Sequence, residues 1–209
     1  MLRLYFSPYC PYAQRPRVLL ARLGVEPELR EVDLADRDAE FLALCPSGKV
    51  PLLEDDGRLL HESAVICQYL AARLGWDGAW HEDLFLAHRQ RLALAQWDGT
   101  LAPAWYRSMR DPEALDRDGL GKELDFFEQT LELTGHETDN LLGIACAPHW
   151  LRMGWTADFS PLPGLLAERP ALKAWLDRAA DRAEVRATAP EREDMVRRLR
   201  AKFGPPADA

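Results

Sequence analysis

Short apolar runs and helix-period stripes alternate over the first 75 residues, and from there on only helix-period stripes continue. Leu2 to Phe6 reads as a strand, Arg15 to Leu23 as a helix closed by Gly24, and Leu29 to Leu34 as a second strand. A weaker helical stretch, Asp38 to Leu44, leads into the loop Cys45-Pro46-Ser47-Gly48-Lys49. Val50 to Glu54 and Arg58 to His61 flank Asp55-Asp56-Gly57, whose Asp-Gly pair is a strong two-residue hairpin signal. A third helix begins near Ser63 and runs to Leu74. The predicted order is βαβαββα, a mixed α/β domain over 1–75.

Residues 76–82, with Gly78 and two tryptophans, read as a linker to an all-helical region over 83–209. There Leu94, Trp97, Leu101 and Trp105 fall at offsets of 3, 7 and 11, and Leu120, Leu124, Phe127 and Leu131 at 4, 7 and 11. Each set covers one helix face. Leu172, Trp175, Leu176 and Ala179 repeat the pattern. Segments near 83–110, 113–134, 140–153, 163–183 and 190–202 predict four or five helices. The fold class is therefore α/β plus all-α, a small sheet domain followed by a helical bundle.

With 209 residues, 47% hydrophobic and 29% charged, the chain has the composition of a globular protein that buries a core without staples. The 26 Lys+Arg against 34 Asp+Glu leave a net charge of −8, which repels phosphate backbones and anionic lipid. Arg197, Arg198, Arg200 and Lys202 follow Glu191, Glu193 and Asp194, the pattern of a solvated helix end rather than a nucleic-acid site. Neither a nucleic-acid nor a membrane partner is expected. The opening Met1 to Phe6 lacks the pattern of a signal peptide, and no apolar stretch reaches the ~20 residues of a membrane span. Cys10, Cys45, Cys67 and Cys146 show neither Cys-x-x-Cys nor zinc spacing, so no metal is expected. These features together predict reduced thiols in a cytoplasmic setting.

The sharpest local feature is Ser7-Pro8-Tyr9-Cys10-Pro11-Tyr12-Ala13-Gln14-Arg15, placed where the first strand hands over to the first helix. Proline is favoured at the first helical position, so Cys10 is expected at or beside a helix N-terminus. Unpaired backbone amides and the helix dipole stabilise an anion there. Such positions lower a thiol pKa from about 8.5 to roughly 3.5–7.5, which makes Cys10 a candidate nucleophile. The other reading of such a residue is a buried structural cysteine.

Cys10-Pro11-Tyr12-Ala13 resembles a glutaredoxin active site whose second cysteine is replaced by Ala13. Cys-Pro-aromatic-Ala-Gln-Arg resembles the omega-type, cysteine-dependent members of the cytosolic glutathione transferases. Gly48-Lys49-Val50-Pro51 is similar to that family's loop ending in a cis-proline, Glu62-Ser63 to its γ-glutamyl motif, and Arg169 to Leu176 to its C-terminal Pro-x-Leu-x-x-Trp helix. The resemblance implies a thioredoxin-like N-terminal domain, a homodimer, and glutathione as co-substrate.

It further implies a role for each matched position. Cys10 would be catalytic, with Pro11 and Tyr12 beside it in the glutathione site. Ser63, as N-cap or first-turn residue, would offer a hydroxyl and N–H to the γ-glutamyl carboxylate, and Glu62 would accept from the ammonium. Lys49 would pair with the glycyl carboxylate, or is a solvated loop lysine. Val50 would pair by its backbone with the cysteinyl part, ahead of Pro51. An acceptor pocket for a small hydrophobic or disulfide co-substrate would have Tyr9 and Tyr12 on one wall and Trp105 and Tyr106 on another, unless those last two are core. Three positions depart from the pattern. Pro16, early in the helix, predicts a distorted or late-starting first turn. Cys45 stands where the family often has Asn, as a spectator or a second redox thiol. Gly143 of Asn140-Leu141-Leu142-Gly143 cannot complete the family's capping box.

The leading expectation is glutathione-dependent thiol transfer through a Cys10–glutathione mixed disulfide, with small disulfides or dehydroascorbate as oxidant. One alternative is conjugation of glutathione to hydrophobic electrophiles, with Ser7 or Tyr5 as hydroxyl donor. Another is a transferase-like binding module without catalysis.

Overall fold

The computed structural model describes residues 1–203. The first unit comprises Met1–Ala79 with Arg182–Ala189, and the second comprises Trp80–Asp181 with the described residues from 190 on. The first unit contains β1 (Leu2–Phe6), α1 (Pro11–Arg22), β2 (Glu28–Glu31), α2 (Ala39–Leu44), β3 (Leu52–Asp55), β4 (Arg58–Leu60) and α3 (Ser63–Arg73). This is the expected βαβαββα order. The strands lie β2-β1-β3-β4, with β1 parallel to β2 and antiparallel to β3. It is a thioredoxin-like sheet, and α1 packs against α3.

Register follows from hydrophobic matching and one charged row. Leu4 of β1 sits opposite Leu29 and Leu53. Arg3 sits opposite Glu28 on β2 and Glu54 on β3, and donates to both, at 2.9 and 2.8 Å. A one-residue slip would reverse the faces and break both pairs. Asp56 and Gly57 take φ of 50° and 80°, the left-handed pair that a two-residue hairpin between β3 and β4 demands.

In the first unit two element starts shift by two residues or more, and β2 ends at Glu31 rather than Leu34. Helix α1 begins at Pro11, not Arg15, and runs through Pro16. Pro11 occupies the first helical position, where its missing N–H costs nothing, whereas Pro16 is the sixth helical residue and has no N–H to close the helical bond to the Tyr12 carbonyl; the helix continues past it without a late start. Strand β3 begins at Leu52 rather than Val50, because Val50–Pro51 is a cis bond and Pro51 has no N–H for the ladder.

The second unit is entirely helical: α4 (Leu84–Gln96), α5 (Ala102–Arg110), α6 (Arg117–Thr134), α7 (Leu141–Trp155), α8 (Leu162–Ala167), α9 (Pro170–Ala180) and α11 (Arg192–Phe203). Helix α10 (Ala183–Thr188) belongs to the first unit, where Gln14 Nε2 donates to the Val185 carbonyl at 2.8 Å and to Thr188 Oγ1 at 3.0 Å. Among the described residues eight α-helical segments follow residue 82 where four or five helices are expected, and proline accounts for two of the changes. The single helix expected over 83–110 changes to a π-helical turn at Trp97–Leu101, which widens the ladder just before Pro103. The helix expected over 163–183 divides because the residue before proline avoids the helical region: Arg169 is extended, and Pro170 opens α9.

All three apolar stripes read from the sequence are buried. Trp97 and Trp175 each meet Phe127, with ring centroids 5.8 and 5.7 Å apart. Asp83, Asp116 and Asn140 cap α4, α6 and α7 through the N–H three residues on, each at 2.9 Å. Gly143 is explained at α7. A Cβ there would stand 2.2 Å from the Thr138 carbonyl oxygen, so the backbone passes where a capping-box side chain would be. No helix of the described residues is long and apolar enough to cross a membrane.

Candidate active site

Cys10 is the N-cap of α1, in extended conformation, followed by Pro11 at the first helical position. Its side chain makes no hydrogen bond to the first-turn amides. Instead Sγ donates to the Val50 carbonyl at 3.7 Å, across to the residue before the cis-proline. That contact requires the thiol proton. Cys10 is half-buried, so it is neither a sealed core cysteine nor a loose surface one.

The loop carrying Lys49 and Val50 is fastened from below. Gly48 has φ 63°, and a Cβ there would stand 2.8 Å from Arg37 Cδ. Arg37 donates from Nε to the Gly48 carbonyl at 2.6 Å and from Nη1 to the Leu34 carbonyl at 2.7 Å. Cys45, buried, faces Ser47 Oγ at 3.3 Å and His61 Nδ1 at 4.0 Å, and donates to the Lys49 carbonyl at 3.5 Å. Lys49 itself is exposed, and Val50 is buried.

Beside α1, α3 opens at Ser63, which is its first helical residue rather than its cap. The cap is Glu62, exposed and held at φ 64° without a side-chain cap bond. A non-glycine residue at that φ is strained by of order 1–3 kcal/mol, a cost that gathers at ligand clamps and switches. Ser63 is buried, and its Oγ accepts from Arg15 Nη1 at 3.1 Å.

Cys10, Pro11, Tyr12, Lys49, Val50, Pro51, Glu62 and Ser63 all lie in the first unit, on the α1 start, the pre-β3 loop and the α3 start. Tyr9 and Tyr12, also in this unit, are half-buried. Trp105 and Tyr106 lie in the second unit. Trp105 is fully buried, donates from Nε1 to Thr156 Oγ1 at 3.0 Å, and packs on Tyr106 with centroids 4.7 Å apart. It is a core side chain of that unit. Of the hydroxyls considered for conjugation, Tyr5 donates to Glu54 Oε2 at 3.3 Å and Ser7 is buried. Sequence reasoning missed Arg15 and Arg37. A signal existed for Arg15, which stands three and four residues before Val18 and Leu19 and so falls on the apolar stripe of α1.

The first unit is thus thioredoxin-like, with Cys10 at the α1 cap facing the residue before a cis-proline, and a helical unit follows it in the chain. Residues 4–75 match the family model described as glutathione S-transferase, N-terminal domain. The chain is 29% identical over 202 residues to glutathione S-transferase 3 of Zea mays, covering 87% of this chain and 90% of that protein. It is 26% identical over 183 residues to glutathione S-transferase omega-1 of Mus musculus, covering 84% and 75% respectively. Glutathione transferase Omega 1C from Trametes versicolor shares the fold, with a TM-score of 0.80 at 19% identity over 97% of this chain and 96% of that one. The first unit is thus similar to the N-terminal domain of glutathione S-transferases, and omega-class glutathione transferases are among the relatives of the chain.

Proposed function

We propose that the protein is a glutathione-dependent thiol transferase with Cys10 as its nucleophile. The observation that carries this reading is the half-buried Cys10 at the α1 cap, its Sγ 3.7 Å from the carbonyl that precedes cis-Pro51. In the first step the Cys10 thiolate attacks the glutathionyl sulfur of a mixed disulfide R–S–S–G. A Cys10–glutathione disulfide forms, the R–S bond breaks, and R–S⁻ leaves and takes a proton. In the second step the thiolate of a free glutathione attacks the glutathionyl sulfur of the adduct, releasing glutathione disulfide and the Cys10 thiolate. Ala13 removes the resolving cysteine that would otherwise complete the cycle within the chain.

The other positions supply recognition. Val50 offers its backbone to the cysteinyl part, Lys49 its charge to the glycyl carboxylate, Ser63 its hydroxyl to the γ-glutamyl carboxylate, and Glu62 its carboxylate to the ammonium. The test is turnover of a small glutathione mixed disulfide by wild type and Cys10→Ser. Loss of turnover in the variant supports the reading. Turnover retained in the variant, or absent from wild type, would overturn it.

A further inference from the structure

A cavity of about 250 Å³ lies within the second unit, walled by α5, the α5–α6 connection and the first two turns of α6. Small residues keep it open: Ala104 on α5, Ala114 in the connection and Gly119 on α6. A Cβ at Gly119 would collide with the Asp116 carboxylate. The π-helical turn at Trp97–Leu101 brings Thr100 to the same wall, and turns of that kind gather at functional sites. The glutathione positions, by contrast, all lie in the first unit.

The charged groups of this cavity do not satisfy one another. Glu123 Oε2 is buried and has no hydrogen-bond partner among the described residues, a costly state for a carboxylate oxygen. Arg107 lines the same space, yet makes no ion pair with Glu123 or with any other carboxylate among the described residues. Asp116 spends one oxygen, Oδ1, on the Gly119 N–H at 2.9 Å and has a second to offer. Opposite charges that share a small cavity without pairing leave room for a ligand that carries both. Two carboxylates suit its ammonium, and one guanidinium suits its carboxylate. A simple amine would leave Arg107 unused, and a simple acid would meet two like charges. Since Glu123 is half-buried and Arg107 exposed, the ammonium is the deeper end. The space equals that of about eight waters at ~30 Å³ each, too small for a drug-sized ligand. Leu115 and Leu120 add an apolar wall.

We propose that this cavity binds a free α-amino acid with a small apolar side chain, its ammonium at Glu123 and Asp116 and its carboxylate at Arg107. The site is separate from the glutathione reading and stands whether or not that reading does.

Calorimetry with L-valine, valinamide and 3-methylbutanoate tests it, because the amide lacks the carboxylate charge and the acid lacks the ammonium. Wild type should bind L-valine about tenfold or more tightly than either. Glu123→Gln, nearly the same shape, should weaken L-valine about tenfold or more and remove its advantage over 3-methylbutanoate. Arg107→Ala, at an exposed position, should weaken L-valine severalfold and remove its advantage over valinamide. Both variants should keep the wild-type circular dichroism and thiol-transfer turnover. If Glu123→Gln does not fold, the three-ligand comparison on wild type and Arg107→Ala decides. No binding of L-valine by wild type up to about 10 mM, equal affinity for the three ligands, or full L-valine affinity in a folded Glu123→Gln would overturn the proposal.

Discussion

Replacing Gly143 by alanine should destabilise the protein, although alanine is the better helix former. The added Cβ would stand 2.2 Å from the Thr138 carbonyl oxygen, 2.9 Å from its carbon and 3.1 Å from its Cα. An ordinary carbon–oxygen contact is about 3.3–3.6 Å, so the Thr138 backbone must retreat by about 1 Å. It is poorly placed to do so, because the preceding Glu137 carbonyl accepts from Asn140 Nδ2 at 2.9 Å and from Trp175 Nε1 at 3.0 Å. Overpacking of this kind costs about 1–3 kcal/mol. Disturbing the Asn140 cap on the Gly143 N–H, a 2.9 Å bond, adds about 1 kcal/mol. Helix propensity returns about 1 kcal/mol, which leaves a net loss of about 1–3 kcal/mol. Urea unfolding followed by tryptophan fluorescence and far-ultraviolet circular dichroism should show a lower midpoint at unchanged slope. Gly154 in the same helix is the internal control. Nothing lies within 4 Å of its Cβ position, so Gly154→Ala should be neutral or stabilising by up to about 1 kcal/mol. A Gly143→Ala midpoint equal to or above wild type, or equal losses at both glycines, would refute the steric argument.

Other predictions concern the caps, the acid limb and the loop. Asn140→Ala should cost about 1 kcal/mol in the same assay, and combined with Gly143→Ala it should show less than the summed loss because both act on one hydrogen bond. Asp55 is buried and accepts from Arg73 and from the Tyr69 hydroxyl, and the Arg73 bond above all holds its carboxyl below the usual range. A depressed carboxyl stabilises the fold above the unfolded value of about 3.9 and loses that contribution as pH falls through the folded one. The stability gap between wild type and Asp55→Asn should therefore be constant above about pH 5 and shrink below about pH 4; a gap unchanged at pH 3 would count against it. Gly48→Ala, at φ 63° and against Arg37, should raise the KM for glutathione severalfold in steady-state thiol transfer while leaving Cys10 alkylation by iodoacetamide unchanged. Lys49→Ala should raise the same KM, and the difference from wild type should shrink at high salt because Lys49 is exposed.

Local chemistry made much of this protein readable from its chain. The Asp56-Gly57 hairpin, the Pro11 start beside Cys10 and the apolar stripes of the helical unit each follow from a backbone or periodicity rule that acts within a few residues. The cis bond at Val50–Pro51 was suggested only by resemblance, since nothing local separates the two isomers of an X–Pro bond enough to choose. Long-range packing decided the rest. Arg15 falls on the apolar stripe of α1, but its partner is decided only when α3 brings Ser63 against it, 48 positions away in sequence. Gly143 reads as a defect in a capping box until the Thr138 carbonyl occupies the space of its missing side chain. Residues 182–189 read as the tail of a helical bundle until Gln14 on α1 draws them to the first unit. In each case the deciding partner acts through space, by sterics or a buried hydrogen bond, and periodicity along the chain carries no trace of it.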